Sequence, residues 1–196
     1  MNTTTKDKTH LLEKFHYCPV CGSPHFEVND FKSKRCLDCG FVYYFNPAGA
    51  VVALIVNERD ELLVATRGEE PAKGTLDLIG GFADCGETAE HAMQREIVEE
   101  TGMDISQDNM HYLFSKPNTY LYSDMLIHTM DLFFLCRVSS QTPITANDDV
   151  ASCRWTPLAD LHPEQFGLDS IREGVIRYMQ MMKSGFPHIG SHYNTY

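Results

Sequence analysis

The chain has 196 residues, 43% of them hydrophobic, and a formal net charge of −11 at pH 7. This leaves room for one domain of ordinary size plus a small appendage, with enough apolar content to exclude global disorder. The negative balance weighs against broad electrostatic attachment to nucleic acid or to an anionic membrane.

The acidity is uneven. Residues 1–46 carry six Lys/Arg and five Asp/Glu, a net +1, whereas the remainder carries ten against twenty-two, a net −12. The opening MNTTTKDKTH is polar and lacks the apolar core of a secretory signal. The longest apolar run, residues 50–56, is far too short to span a bilayer. These features predict a cytoplasmic location and no membrane partner.

Four of the seven cysteines fall into two C-x-x-C knuckles, Cys18-Pro-Val-Cys21-Gly and Cys36-Leu-Asp-Cys39-Gly. Each knuckle lets two thiolates reach one ion, and four soft sulfurs in a tetrahedron suit Zn²⁺. The spacing resembles a zinc ribbon, with iron in a rubredoxin-like site as the alternative. A site closed by four protein ligands is expected to be structural, with the metal supplying the folding free energy of so short a segment. His16 and His25 are expected on the ribbon surface. Lys32, Lys34 and Arg35, between Phe31 and Phe41, read as a solvated hairpin, with RNA or a nucleotide tail as a second possibility. Residues 41–47 form the last ribbon strand and the hinge, which sets the expected domains at 1–46 and 47–196.

Beyond the hinge, residues 50–57 and 62–66 read as strands around the turn Glu58-Arg59-Asp60. Residues 75–78 are a short strand feeding Gly80-Gly81. Residues 110–115, 126–138 and 151–155 are further strands, with 117–122 assigned to a connection. The last helix spans 168–182, with Leu168, Ile171, Val175, Tyr178 and Met182 on one apolar face. Cys136 and Cys153 read as packing residues, and His188 and His192 belong to an aperiodic tail.

Everything is organised around residues 81–103, GFADCGETAEHAMQREIVEETGM. Glu96, Glu99 and Glu100 are spaced i, i+3, i+4, so a helix over residues 88–101 puts three carboxylates on one face. Ala89, Met93 and Ile97 repeat every four residues and are expected on the opposite side, against a core. Like charges at such spacing repel, and a hard divalent cation with oxygen ligands would offset this. Arg95 can hold one carboxylate in a chosen orientation, and Gly102 is placed to end the helix.

The pattern Gly81, five residues, Glu87, seven residues, then Arg95-Glu96-Ile97, Glu99-Glu100 and Gly102-Met103 resembles the Nudix box at every defined position. The flank is Leu78-Ile79-Gly80-Gly81, where the family often has Leu-Pro-Gly-Gly. The resemblance implies an α/β fold, a Nudix-type α/β/α sandwich with a mixed sheet, preceded by the small zinc ribbon. It further implies metal-dependent hydrolysis of a nucleoside diphosphate linked to another moiety. Glu96, Glu99, Glu100 and the Gly81 carbonyl would hold Mg²⁺ or Mn²⁺, with Glu96 as ligand or water-activating base. Arg95 and Glu87 would pair and brace the helix, and Asp149 lies where the family often supplies a further acid. Arg67, just off a strand end, is a candidate phosphate contact.

A ribbon joined to such a domain resembles the NADH pyrophosphatases. Of their downstream Ser-Gln-Pro-Trp-Pro-Phe-Pro-like motif, Ser115-Lys116-Pro117-Asn118-Thr119-Tyr120 keeps the Ser and the first Pro and loses the aromatic-proline series. Pro117 resembles a feature of ADP-ribose pyrophosphatases and Tyr120 one of diadenosine polyphosphate hydrolases, with Tyr120 or Tyr122 available to stack on a base. The expected partner is a small-molecule nucleotide, best a dinucleotide or nucleotide sugar. The alternatives are a nucleoside triphosphate pyrophosphohydrolase and a non-catalytic nucleotide sensor or RNA-binding module. Homodimers are frequent in the family.

Overall fold

The computed structural model describes residues 10–122, 124–146 and 150–185, Tyr120 by its backbone alone. The chain divides into two compact units, Met1–Pro47 and Ala48–Tyr196.

The first unit is a three-stranded antiparallel sheet of β1 (Phe26–Asp30), β2 (Ser33–Cys36) and β3 (Val42–Tyr44), in that order. Each knuckle closes on a glycine at positive φ, Gly22 at 73° and Gly40 at 78°. Their amides donate back to the carbonyls of Cys18 (2.9 Å) and Cys36 (3.0 Å). Buried apolar mass is small: Cys18, Phe26 and Cys36, with Phe15, Phe41 and Tyr43 packed against them. The expected basic surface is only partly there. Lys34 is buried, its Nζ donating to the Phe15 carbonyl at 2.7 Å and lying over the Phe26 ring. Its long stem fills space that this small core cannot otherwise fill. His25 is exposed beside Asp38.

The second unit is a mixed seven-stranded sheet with one long helix on each face. Its strands are β4 (Ala48–Val56), β5 (Glu61–Arg67), β6 (Leu76–Asp77), β7 (Ile79–Phe82), β8 (Met110–Tyr122), β9 (Met125–Arg137) and β10 (Val150–Pro157). The path runs β10-β5-β4-β9-β8, with β6 on β5 and β7 on β4. Among the described strands, β4 and β9 are the parallel pair, from Ala48↔Thr129 to Val56↔Arg137. The alternation of β4 explains its uninterrupted apolar run. Val51, Ala53 and Ile55 face a core shared with Met93 and Ile97 of α1 (Ala89–Thr101). Val52, Leu54 and Val56 face Ile171, Val175 and Tyr178 of α2 (Asp169–Lys183). A strand covered on both faces has no polar side to present. Each such side chain contributes about 1.5–3 kcal/mol by leaving water.

Two expectations need correction. Residues 117–122 are not a connection but the second half of β8, paired with β9 from Pro117↔Met130 to Tyr122↔Met125. Pro117 misled because proline lacks an amide to donate, yet β8 is an edge strand, where that loss is tolerated. The carboxylates of α1 also do not lie opposite its apolar stripe. Glu100 is buried with Ala92, Met93 and Ile97, so the acidic stripe flanks the apolar one and turns toward β7. Among the described residues, no helix is long and apolar enough to cross a membrane.

Candidate metal and pyrophosphate site

Strand β7 pairs with β4 through Val51↔Gly81 and Val52↔Gly80. A Cβ on Gly80 would run into the Val51 carbonyl, and one on Gly81 would sit 2.5 Å from Glu96 Oε1. The glycine pair therefore lets β7 close on β4 while α1 brings its acids against the strand. The helix starts at Thr88, whose side chain accepts from the His91 amide at 3.2 Å, and ends at Gly102, with φ 67°. Capping at both ends fixes its register against β7.

Arg95 is the hub. Its Nε and Nη2 donate to the two oxygens of Glu87, both at 2.9 Å. Nη1 donates to Glu96 Oε1 at 2.8 Å and Glu99 Oε2 at 3.0 Å, and Nη2 also reaches the Phe82 carbonyl at 2.9 Å. A planar fork with five donors suits this work, whereas a lysine could not hold four groups at once. Glu100 is 7% exposed, and its Oε2 accepts the Gly80 amide at 3.1 Å.

Hydrogen bonds from Arg95, then from the Asp84 amide, hold the Glu87 carboxyl down at about 2. A carboxyl whose folded value is depressed stabilises fully above its ordinary value of 4.5, and that contribution is lost as pH falls toward 2. Urea midpoints of wild type and Glu87→Gln should differ at neutral pH, wild type being the more stable, and converge toward pH 2. Parallel curves would contradict the pairing.

The donor set suits a hard cation: three carboxylates on one helix beside a glycine carbonyl, all oxygen. The three carboxylates are nevertheless not gathered as one cluster. Among the described residues, the group of three or more acid, His or Cys ligands lying within 4.8 Å of one another is Cys18, Cys21, Cys36 and Cys39. Arg95 draws Glu96 and Glu99 to its own fork, while Glu100 turns to the Gly80 amide. In the ribbon, the Cys18–Cys39 and Cys21–Cys36 sulfurs lie 3.7 and 3.6 Å apart. A tetrahedron with metal–sulfur bonds of about 2.3 Å has edges of about 3.8 Å, which these two pairs match, and all four sulfurs lie within 4.8 Å of one another. The Cys39 amide pulls the Cys36 thiol down, while Cys21 and Cys39 are pushed up among the neighbouring sulfurs, so Cys36 gives up its proton before either. Cys136 and Cys153 behave as packing residues, burial pushing them up to about 12 and about 11.

A cleft of about 260 Å³ opens beside the glycine pair, bounded by Arg67, Asp77, Gly80, Gly81, Asn118 and Asp131. Arg67 does reach a wall of this cleft, but its guanidinium is tied to the Asp77 carboxylate and, at 2.7 Å, to the Pro71 carbonyl. Burial raises the Asp77 carboxyl, and Arg67 opposes that rise. The half-exposed Tyr122 also borders the cleft, whereas the Tyr120 side chain and Asp149 lie outside the described residues, as do His188 and His192. Sequence reading missed Asp77 and Asp131. The available signal was a single acid inside an otherwise apolar strand, as in Met130-Asp131-Leu132-Phe133-Phe134.

A mixed sheet between two helices, with a capped acidic helix set against a glycine pair, defines the class. Residues 46–178 match the NUDIX domain, and the chain belongs to that family. It is 29% identical over 160 residues to the NAD-capped RNA hydrolase NudC of Haemophilus influenzae (strain PittEE), covering 79% of this chain and 57% of that protein. The NudC of Deinococcus radiodurans is 28% identical over 147 residues, covering 74% and 50%. The chain thus spans about half the length of the curated relatives it matches. In fold it is similar to a NUDIX hydrolase from Nitrosomonas europaea (TM-score 0.65, 18% identity, 87% of this chain and 94% of that one). It is similar too to the NUDIX domain of Shewanella oneidensis NrtR complexed with ADP ribose (TM-score 0.56, 20% identity, 74% and 91%).

Proposed function

We propose that the protein is a metal-dependent hydrolase that cleaves the pyrophosphate bond of a nucleoside diphosphate linked to another moiety, best a dinucleotide or nucleotide sugar. The observation that carries this reading is the Arg95 hub, which holds Glu87, Glu96 and Glu99 beside the glycine pair where the cleft opens. The names of the NudC relatives and the ADP ribose bound by the NrtR domain point to the same substrate class.

Glu96, Glu99, Glu100 and the Gly81 carbonyl would hold Mg²⁺ or Mn²⁺. Bound there, the ion would offset the negative charge of the pyrophosphate and lower the pKa of an attacking water. Glu99, at 46% side-chain exposure the freest of the three, is the one to turn from Arg95 toward its neighbours. Glu87 keeps Arg95 in place throughout, and Glu96 serves either as metal ligand or as the base that takes the proton of the attacking water. Asp149 is a further acid in this reading. Zn²⁺ on Cys18, Cys21, Cys36 and Cys39 is structural. The protein is cytoplasmic and takes a small nucleotide as substrate, with capped RNA as a larger version of the same chemistry.

A substrate panel with product masses tests the reading: NADH, NAD⁺, ADP-ribose, nucleotide sugars, diadenosine polyphosphates and nucleoside triphosphates, each with Mg²⁺ and Mn²⁺. Two monophosphates from a dinucleotide are expected. Release of inorganic pyrophosphate from triphosphates alone would replace this reading with nucleotide-pool clearance. Gly81→Ala should lower kcat roughly 10- to 100-fold with little change in Tm, because its Cβ displaces Glu96 rather than the core. An unchanged kcat would separate Glu96 from the reaction.

A further inference from the structure

Asp131 is 4% exposed and borders the cleft. Thr129 Oγ1 donates to its Oδ1 and Ser170 Oγ to its Oδ2, both at 2.5 Å. Among the described residues these two neutral hydroxyls are its hydrogen-bond partners, and it enters no ion pair. The cation across the strand in register, Lys116, is committed to Glu173 at 2.6 Å. Asp77, the other buried acid of the cleft, has Arg67 as its counter-charge.

Burying a carboxylate without a counter-charge is costly, and a fold that needed only packing here would be served by an apolar side chain. A carboxylate has about four acceptor sites, and two hydroxyls fill two of them. The remaining capacity is for N–H or O–H donors. It cannot serve phosphate, which this charge repels. Asp131, Ala50 and Phe82 stand in one row across β9, β4 and β7, so the acid lies about 10 Å from the end of the glycine strand. That places a donor-reading group at one end of the cleft and the glycine pair, against which Glu96 of α1 lies, at the other.

We propose that Asp131 is a specificity-determining residue that reads a ring carrying N–H donors, an exocyclic amine or a carboxamide, on the nucleotide substrate. The proposal rests on the cleft being the substrate cleft of the preceding section. Thr129 and Ser170 fix the carboxylate's orientation, so that its free acceptor sites are set before the ring arrives. A ring without donors leaves the buried acid unsatisfied, which is a stronger source of discrimination than loss of apolar contact.

Two pairs of ligands that differ only in a donor test this. ADP-ribose is compared with its purine analogue lacking the 6-amine, and NAD⁺ with its 3-acetylpyridine analogue, in which methyl replaces the amide nitrogen. Binding is measured by calorimetry without divalent metal, so that affinity is read apart from turnover. The expected result is an affinity lower by about 10- to 100-fold for at least one donor-less analogue, the pair identifying which ring is read. Ser170→Ala, which removes one of the two orienting hydroxyls, should weaken this preference in part, and Asp131→Asn should reduce it severalfold or more. Equal binding within both pairs by the wild-type protein, or no binding of any of the four, overturns the proposal whatever the stability of Asp131→Asn. Hydrolysis without discrimination would sink this proposal alone. Discrimination without hydrolysis would sink the enzymatic reading and leave this one standing.

Discussion

Glu100→Gln should lower kcat by roughly 10²- to 10³-fold while the protein remains folded. Glutamine has nearly the same shape, and its carbonyl oxygen can still accept the Gly80 amide that Glu100 Oε2 accepts at 3.1 Å. What disappears is one negative charge in a buried position, 7% exposed, on the helix that also carries Glu96 and Glu99. Removing it relieves repulsion, so the melting temperature should hold or rise. The apparent affinity for Mg²⁺ or Mn²⁺ should fall, because a neutral oxygen is a poorer partner for a hard cation. The check is kcat against divalent-ion concentration, alongside thermal melts. Wild-type kcat at saturating metal would remove Glu100 from the ligand set.

The second large effect is in the ribbon. Cys36→Ser should abolish bound zinc, one ion per chain in the wild type, and unfold residues 10–45 without unfolding the sheet of the second unit. The ribbon's buried apolar side chains are few, chiefly Leu12, Phe26 and two of the cysteines. Ordering each residue costs about 1–2 kcal/mol in backbone entropy, and a core this small does not offset it. Structural zinc supplies about 10–16 kcal/mol in comparable small domains. Metal analysis and amide resonances, wild type against Cys36→Ser, decide the matter. A ribbon that keeps its dispersed resonances without metal would show that its aromatic packing suffices.

Much of the site was legible because its logic is local. The i, i+3, i+4 carboxylates and the terminating glycine both belong to one helix, so spacing alone sets them on it. The knuckles are local in the same way: four cysteines within a short segment reach one point. Long-range geometry was less legible. The turn of Glu100 toward Gly80 depends on β7 closing against β4, which no spacing in α1 reveals. Pro117 is a turn residue by local rule, and only its edge position makes it a strand residue. Arg67 was visible as a cation after a strand, but its partner Asp77 comes from another strand. Asp131 and Ser170 meet across 39 residues, which sequence periodicity does not record.

The most direct test of the central claim is hydrolysis of NAD⁺ or ADP-ribose in ¹⁸O-enriched water, with mass analysis of the products. Attack of water on phosphorus in the pyrophosphate predicts two monophosphates, one of them carrying a single ¹⁸O on its phosphate. Label on a sugar carbon, or products with the pyrophosphate intact, would contradict the account.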